Sequence, residues 1–169
     1  MSASATVLVD LRARAWAKAV PGAEAICRAA VGAALDAADG PRGEVSVVLA
    51  DDAFLHALNL DHRGHDRPTD VLSFPQLDGP AARPGAADGP LLLGDVAVAL
   101  ETARRDAAQA GRALADHLAH LVVHGTLHLI GHTHEDDADA AAMERLEAAA
   151  LARLGIADPY ARPARAGAG

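Results

Sequence analysis

LVVHGTLHLIGHTH, residues 121–134, sets histidines into an apolar run at helical spacing. In a helix His124 and His128 are i and i+4, so their rings leave one face about 6 Å apart along the axis. Such a pair can clamp a metal ion. A third ligand has to come from beyond the helix, so the helix must end quickly. Gly131 supplies the stop, because glycine adopts the left-handed conformation that terminates helices and reverses the chain. His134 then lies past the turn, where it can swing back to the same metal. Three neutral imidazoles with an open fourth position make a catalytic rather than a structural zinc arrangement, and the same ligands accept nickel or copper. Two histidines at i, i+4 on an apolar helix are, by themselves, more often packing or coincidence; Gly131 and His134 at their offsets turn the balance toward a ligand set. His117 and His120 lie on or near the same face and read as core or supporting residues.

Outward from this helix, which the pattern predicts over residues 114–130, the chain is mixed. TVLV (6–9) and VSVVL (45–49) are β-branched runs bounded by polar or Gly/Pro residues and predict strands, with an Ala-rich helix from Gly22 to Ala38 between them. Asp51 and Asp52 are placed to cap a helix whose buried face carries Phe54, Leu55, Leu58 and Ala57. Residues 71–74 predict a third strand stopped by Pro75, residues 76–90 a Gly/Pro-rich loop, and residues 91–100 a fourth strand. Helices are predicted over 101–109 and 137–154. The fold expected is α+β, one domain over residues 1–158, followed by a flexible tail, 159–169.

With 169 residues the chain can bury about 70% of its unfolded surface and needs no structural metal. Cys27 is the only cysteine, which excludes internal disulfides and cysteine-based zinc cages and suits a reducing cytoplasm. Its expected place is inside a helix. No apolar run in the first twenty residues is long enough for a signal peptide. The longest stretch free of Asp, Glu, Lys and Arg, His117 to His134, holds six of the nine histidines and is no membrane span. A net charge of −8 argues against indiscriminate nucleic-acid binding, which rests on phosphate neutralisation, but leaves room for a basic cleft.

The spacing His-x3-His-x2-Gly-x2-His is also that of metzincin proteases. In those enzymes the residue after the first histidine is the glutamate that activates the water, and here it is Gly125. Peptide hydrolysis is therefore the weaker reading.

HGTLHLIGHTH resembles the H-G-x-L-H-L-x-G-Y-D-H signature of the YbeY family of endoribonucleases and rRNA maturation factors. RGHDRPTDVLSFP (63–75) is similar to the family's second motif and LLLGDVAVALETARRDA (91–107) to the segment between them. Asp158-Pro159-Tyr160 looks like its closing tripeptide. The resemblance runs through most of residues 44–160 in order. It implies a small α+β fold with a four-stranded mixed sheet and about five helices around a zinc cleft. It implies one Zn2+ per chain on His124, His128 and His134, a functional arginine at Arg63, and a cytoplasmic, zinc-dependent, single-strand-specific endoribonuclease. Maturation of small-subunit rRNA and removal of defective ribosomes would be its work, with RNA and the small ribosomal subunit as partners and no membrane. The alternatives are a non-catalytic, zinc-stabilised ribosome-assembly factor and a metzincin-like protease.

Arg63 suits such a substrate, because its planar fork can pair phosphate oxygens bidentately, and Arg67 adds charge. Zinc would lower the pKa of its water to about 7 and polarise the phosphate. Glu135, Asp136 and Asp137 read as caps of the next helix. Where the family has Tyr-Asp before the last histidine, this chain has His132-Thr133. Thr133 removes a carboxylate, and His132 is a candidate proton carrier or a competing ligand. With only Trp16, Phe54, Phe74 and Tyr160 as aromatics, base stacking has few platforms, so recognition would lean on arginines, histidines and backbone.

Overall fold

A computed structural model of the chain describes residues 5–41, 43–63, 71–75, 92–133 and 136–160, excluding the side chains of residues 59–63 and 75. Its elements run β1 (Thr6–Leu11), α1 (Ala15–Ala19), α2 (Ala23–Ala38), β2 (Glu44–Ala50), α3 (Asp52–Arg63), β3 (Val71–Pro75), β4 (Leu92–Ala99), α4 (Leu100–Gln109), α5 (Leu114–Leu129) and α6 (Asp137–Arg153). The fold is α+β with four strands in one mixed sheet, as expected. Strand order is β1-β2-β4-β3, with β1, β2 and β4 parallel and β3 antiparallel to β4.

Alternation along β2 decides how the layers stack. Val45, Val47 and Leu49 join the main core with Val96 and Val98 of β4, against α2 and α5, while Val48 and Ala50 turn to the smaller cluster under α3. With both faces covered, β4 reads as an almost unbroken apolar run, as a central strand must. Where β2 meets β4 the register slips between Glu44 and Val45, and Gly94 absorbs the irregularity at φ 141°, a conformation open to glycine.

There are six helices among the described residues, one more than the sequence indicates. The addition is α1, whose five residues are too short to show a period. Tertiary packing makes it: Trp16 is wholly buried and donates its indole N–H to the Ala50 carbonyl at 2.9 Å. Cys27 is buried in α2, and burial pushes its thiol up to about 12.

Two expectations for α3 need correction. Asp51 does cap it, accepting from the Phe54 N–H at 2.8 Å, but Asp52 does not. The Asp52 carboxylate instead accepts from the backbone N–H and hydroxyl of Thr102, at 3.0 and 2.8 Å, in the first turn of α4. Glu101 returns the interaction to the Asp52 N–H at 2.8 Å, so each helix start satisfies the other. Ala57 is exposed; the buried face of α3 is Leu55, flanked by the partly buried Phe54 and Leu58.

Candidate metal centre

Helix α5 presents two faces of opposite chemistry. Leu118, Leu121, Val122 and Leu129 join the main core, while His120, His124 and His128 follow one another at i+4 along the half-buried side. No side chain caps its start, where Ala113 holds the capping position and Asp116 the first turn, and its end is set by Gly131. Gly131 takes φ 101° and donates to the His128 carbonyl at 3.1 Å, and the His132 N–H reaches the Leu127 carbonyl at 3.0 Å. This is the paired closure of a glycine-terminated helix, and it turns the chain back immediately after His128. The capping expected of Asp136 is present, its carboxylate accepting from the Asp139 N–H at 2.8 Å at the start of α6.

His124 and His128 meet through their Nε2 atoms at 3.1 Å, with ring centroids 4.6 Å apart and planes at 82°. Two nitrogens bound to one tetrahedral zinc at about 2.0–2.1 Å stand roughly 3.3–3.4 Å from each other. The pair therefore fits a single divalent ion with almost no rearrangement. Among the described residues no group of three His, Cys, Asp or Glu side chains gathers at metal-ligand spacing. The third expected ligand, His134, lies outside the described residues, as does Arg67. Arg63 is the last residue of α3, and its side chain is likewise outside the description. His132 is half-buried in the turn after α5.

The residue that organises the histidines is one the sequence reading passed over. Glu147 of α6 is only 1% exposed, inside a helix face formed with Met143, Ala150 and Leu151. Its Oε2 lies 2.8 Å from His124 Nδ1, and its Oε1 lies 2.6 Å from His120 Nε2 and accepts from the Tyr160 hydroxyl at 2.5 Å. Burial pushes this carboxyl up, but the bonds from His120, His124 and Tyr160 outweigh it and hold the pKa at about 2. Glu147 is therefore an acceptor on both oxygens. Burial, followed by the Glu147 bond, pushes the Tyr160 phenol well above its ordinary value, so its proton stays on as a donor. Arg112 closes the chain from the far side, 3.0 Å from His120 Nδ1.

A sequence signal for Glu147 exists: it stands four residues from both Met143 and Leu151, a carboxylate in the apolar row of an Ala-rich helix. Tyr160, set beyond the domain boundary by the sequence reading, reaches back into the site; residues 161–169 are outside the described residues. His120 supports the clamp, and His117 is buried beside it with centroids 6.3 Å apart.

Gly125, where metzincins carry their glutamate, faces the sheet. A Cβ there would stand 2.7 and 3.0 Å from the two methyl groups of Val96 and 3.0 Å from Ser73 Oγ, which donates to the Gly125 carbonyl at 3.2 Å. Close approach of α5 to β3 and β4 requires glycine.

Fold and site together define a small α+β domain in which two facing histidines of α5, backed by a buried carboxylate of α6, form a candidate metal centre. Residues 14–155 match the family model described as Endoribonuclease YbeY. A protein of Paramagnetospirillum magneticum named Endoribonuclease YbeY is 52% identical over 162 residues, covering 95% of this chain and 98% of that protein. Its namesake in Sphingopyxis alaskensis is 53% identical over 155 residues, covering 90% and 89%. The solution structure of TM1509 from Thermotoga maritima is similar in fold, with a TM-score of 0.50 at 20% identity over 93% of this chain and all of that one. The chain belongs to the YbeY family.

Proposed function

We propose that this chain is a zinc-dependent, single-strand-specific endoribonuclease that acts in the cytoplasm on ribosomal RNA, in maturation of the small subunit and in disposal of defective ribosomes. Endoribonuclease activity follows the family to which the chain belongs and the names its relatives carry. The single observation that carries the metal reading is the meeting of His124 and His128 through Nε2 at 3.1 Å. His134 completes the ligand set in this proposal.

A zinc ion in the clamp would supply Lewis acidity toward a phosphodiester and acidify water at neutral pH. The protein's own residues do the rest. His124 and His128 would hold the ion through Nε2, the proton now shared between those two atoms leaving, and the buried Glu147 carboxylate accepts the Nδ1 proton of His124. Arg63, at the end of α3, is assigned to pair phosphate oxygens, with Arg67 adding positive charge. His132 is assigned to proton transfer from its place in the turn after the clamp.

The packing of Gly125 against Val96 argues against peptide hydrolysis of the metzincin type, because its position faces the sheet rather than the clamp. A core that closes between sheet and helices without drawing on the clamp favours a catalytic ion over a structural one. The test is metal analysis of purified protein beside cleavage of single-stranded RNA, with metal-free protein as control. His124→Ala should lose both metal and cleavage, and Arg63→Ala cleavage alone. Undiminished RNA cleavage by His124→Ala would refute the proposal.

A further inference from the structure

Four side chains outside the ligand set, Arg112, His120, Tyr160 and Glu147, form a hydrogen-bonded chain that ends on His124, and their donor and acceptor capacities order its protons. Arg112 has only donors, so at 3.0 Å it must donate to His120 Nδ1, which makes that nitrogen the acceptor. The proton of neutral His120 then sits on Nε2 and is donated to Glu147 Oε1 at 2.6 Å. Tyr160 donates its hydroxyl to the same oxygen at 2.5 Å. With Oε1 filled by these two donors, Oε2 is the carboxylate's remaining acceptor, and His124 donates to it from Nδ1 at 2.8 Å. His124 Nε2 is then the lone-pair nitrogen, and it is the atom that faces His128.

We infer that Glu147 is a positioning residue which, held by His120 and Tyr160, locks His124 in its Nδ1–H tautomer and so presents Nε2 ready-made to a divalent cation. The inference rests on the metal reading above. Free imidazoles divide between two tautomers and rotate about χ2; here the tautomer is fixed by the Arg112–His120–Glu147 chain and the ring by α6. The device spans three parts of the chain, since Arg112 precedes α5, Glu147 lies in α6, and Tyr160 comes from the segment after it. Tyr160 thereby ties the closing Asp158-Pro159-Tyr160 turn to the metal centre, the Asp158 carboxylate fixing that turn by accepting from the Tyr160 N–H at 2.8 Å.

The experiment reads tautomer and affinity separately. Long-range 1H–15N spectra of the metal-free protein should show His124 protonated at Nδ1 in the wild type and divided between tautomers in Glu147→Gln. Competition with a chromophoric zinc chelator should show Glu147→Gln binding about 10–100-fold more weakly. Glu144→Gln, which removes the same charge from the exposed side of α6, should bind as wild type does. Should Glu147→Gln fail to fold, Tyr160→Phe keeps the ring, removes one donor to Oε1, and should still weaken zinc several-fold. Wild-type zinc affinity or an undivided Nδ1–H tautomer in Glu147→Gln, or in the fallback wild-type zinc affinity of Tyr160→Phe, overturns the inference while leaving the metal reading intact. A wild-type protein that keeps the tautomer yet binds no zinc overturns the metal reading instead.

Discussion

Replacing Gly125 with alanine adds one methyl group where, among the described glycines, a Cβ would meet its neighbours most closely. The new Cβ would stand 2.7 and 3.0 Å from the methyls of Val96 and 3.0 Å from Ser73 Oγ, where carbon atoms pack best at about 3.5–4.0 Å. Val96 has nowhere to retreat, being wholly buried on the central strand β4 between β2 and β3. Helix α5 must therefore lift from the sheet by several tenths of an ångström. Overpacking of this kind costs about 1–3 kcal/mol. Alanine returns about 1 kcal/mol of helix propensity at an interior position. Three simultaneous close contacts place the clash in the upper half of its range, so the net loss should be about 1–2 kcal/mol. The Ser73 hydrogen bond to the Gly125 carbonyl, at 3.2 Å, weakens with it. Urea denaturation of the metal-free protein measures this as a fall in midpoint at constant slope. An alanine variant equal to wild type in stability, or above it, would show that α5 does not need glycine to reach the sheet.

Asp52→Ala should destabilise α4 rather than α3, by about 1–2 kcal/mol, because it strips both Thr102 bonds from the first turn; hydrogen exchange of the α4 amides locates the loss. Cys27, buried and with its thiol pushed up to about 12, should stay unreactive toward a disulfide reagent at pH 8 in native protein and react at once in denaturant. Asp95 has its pKa raised by burial, partly countered by a hydrogen bond from Ser46. An acid raised in the folded state favours folding most below its unfolded value of about 3.8–3.9 and progressively less as pH climbs through the folded value. Asp95→Asn should therefore gain on wild type as pH rises from 3 toward 6 in parallel melts; a gap that narrows over that range contradicts the sign.

The parts of the molecule legible in sequence are those built from local pattern. Strands β1 to β4 announce themselves by apolar, β-branched runs between polar or Gly/Pro residues, and the end of α5 by Gly131, whose left-handed φ the structure reproduces. The pairing of His124 with His128 is likewise a matter of helical spacing alone. What escaped the reading depends on distance in space. Helix α1 exists because Trp16 buries itself and finds the Ala50 carbonyl, 34 positions away. Asp52 sits where a cap of α3 belongs, yet its carboxylate serves Thr102, 50 positions on. Glu147 hides in an Ala-rich helix, and only the packing of α6 beside α5 turns it toward His124.

His124 and Gly125 are neighbours, and their contrast explains why this spacing of histidines does not yield a metzincin-type peptidase. Successive residues of a helix diverge by about 100°, so when His124 points at Glu147 of α6, position 125 must point elsewhere, and here it points at the sheet. A metzincin-like glutamate at 125 would drive a carboxylate between Val96 and Ser73, into a contact where none of the described neighbours is a cation. Lifting α5 far enough to admit it would pull His124 away from Glu147. The close docking that positions the clamp is thus the same feature that bars the protease's base. In this fold the carboxylate stands behind the first histidine, on the neighbouring helix, where it can orient that ring but stays out of reach of the clamp's open side.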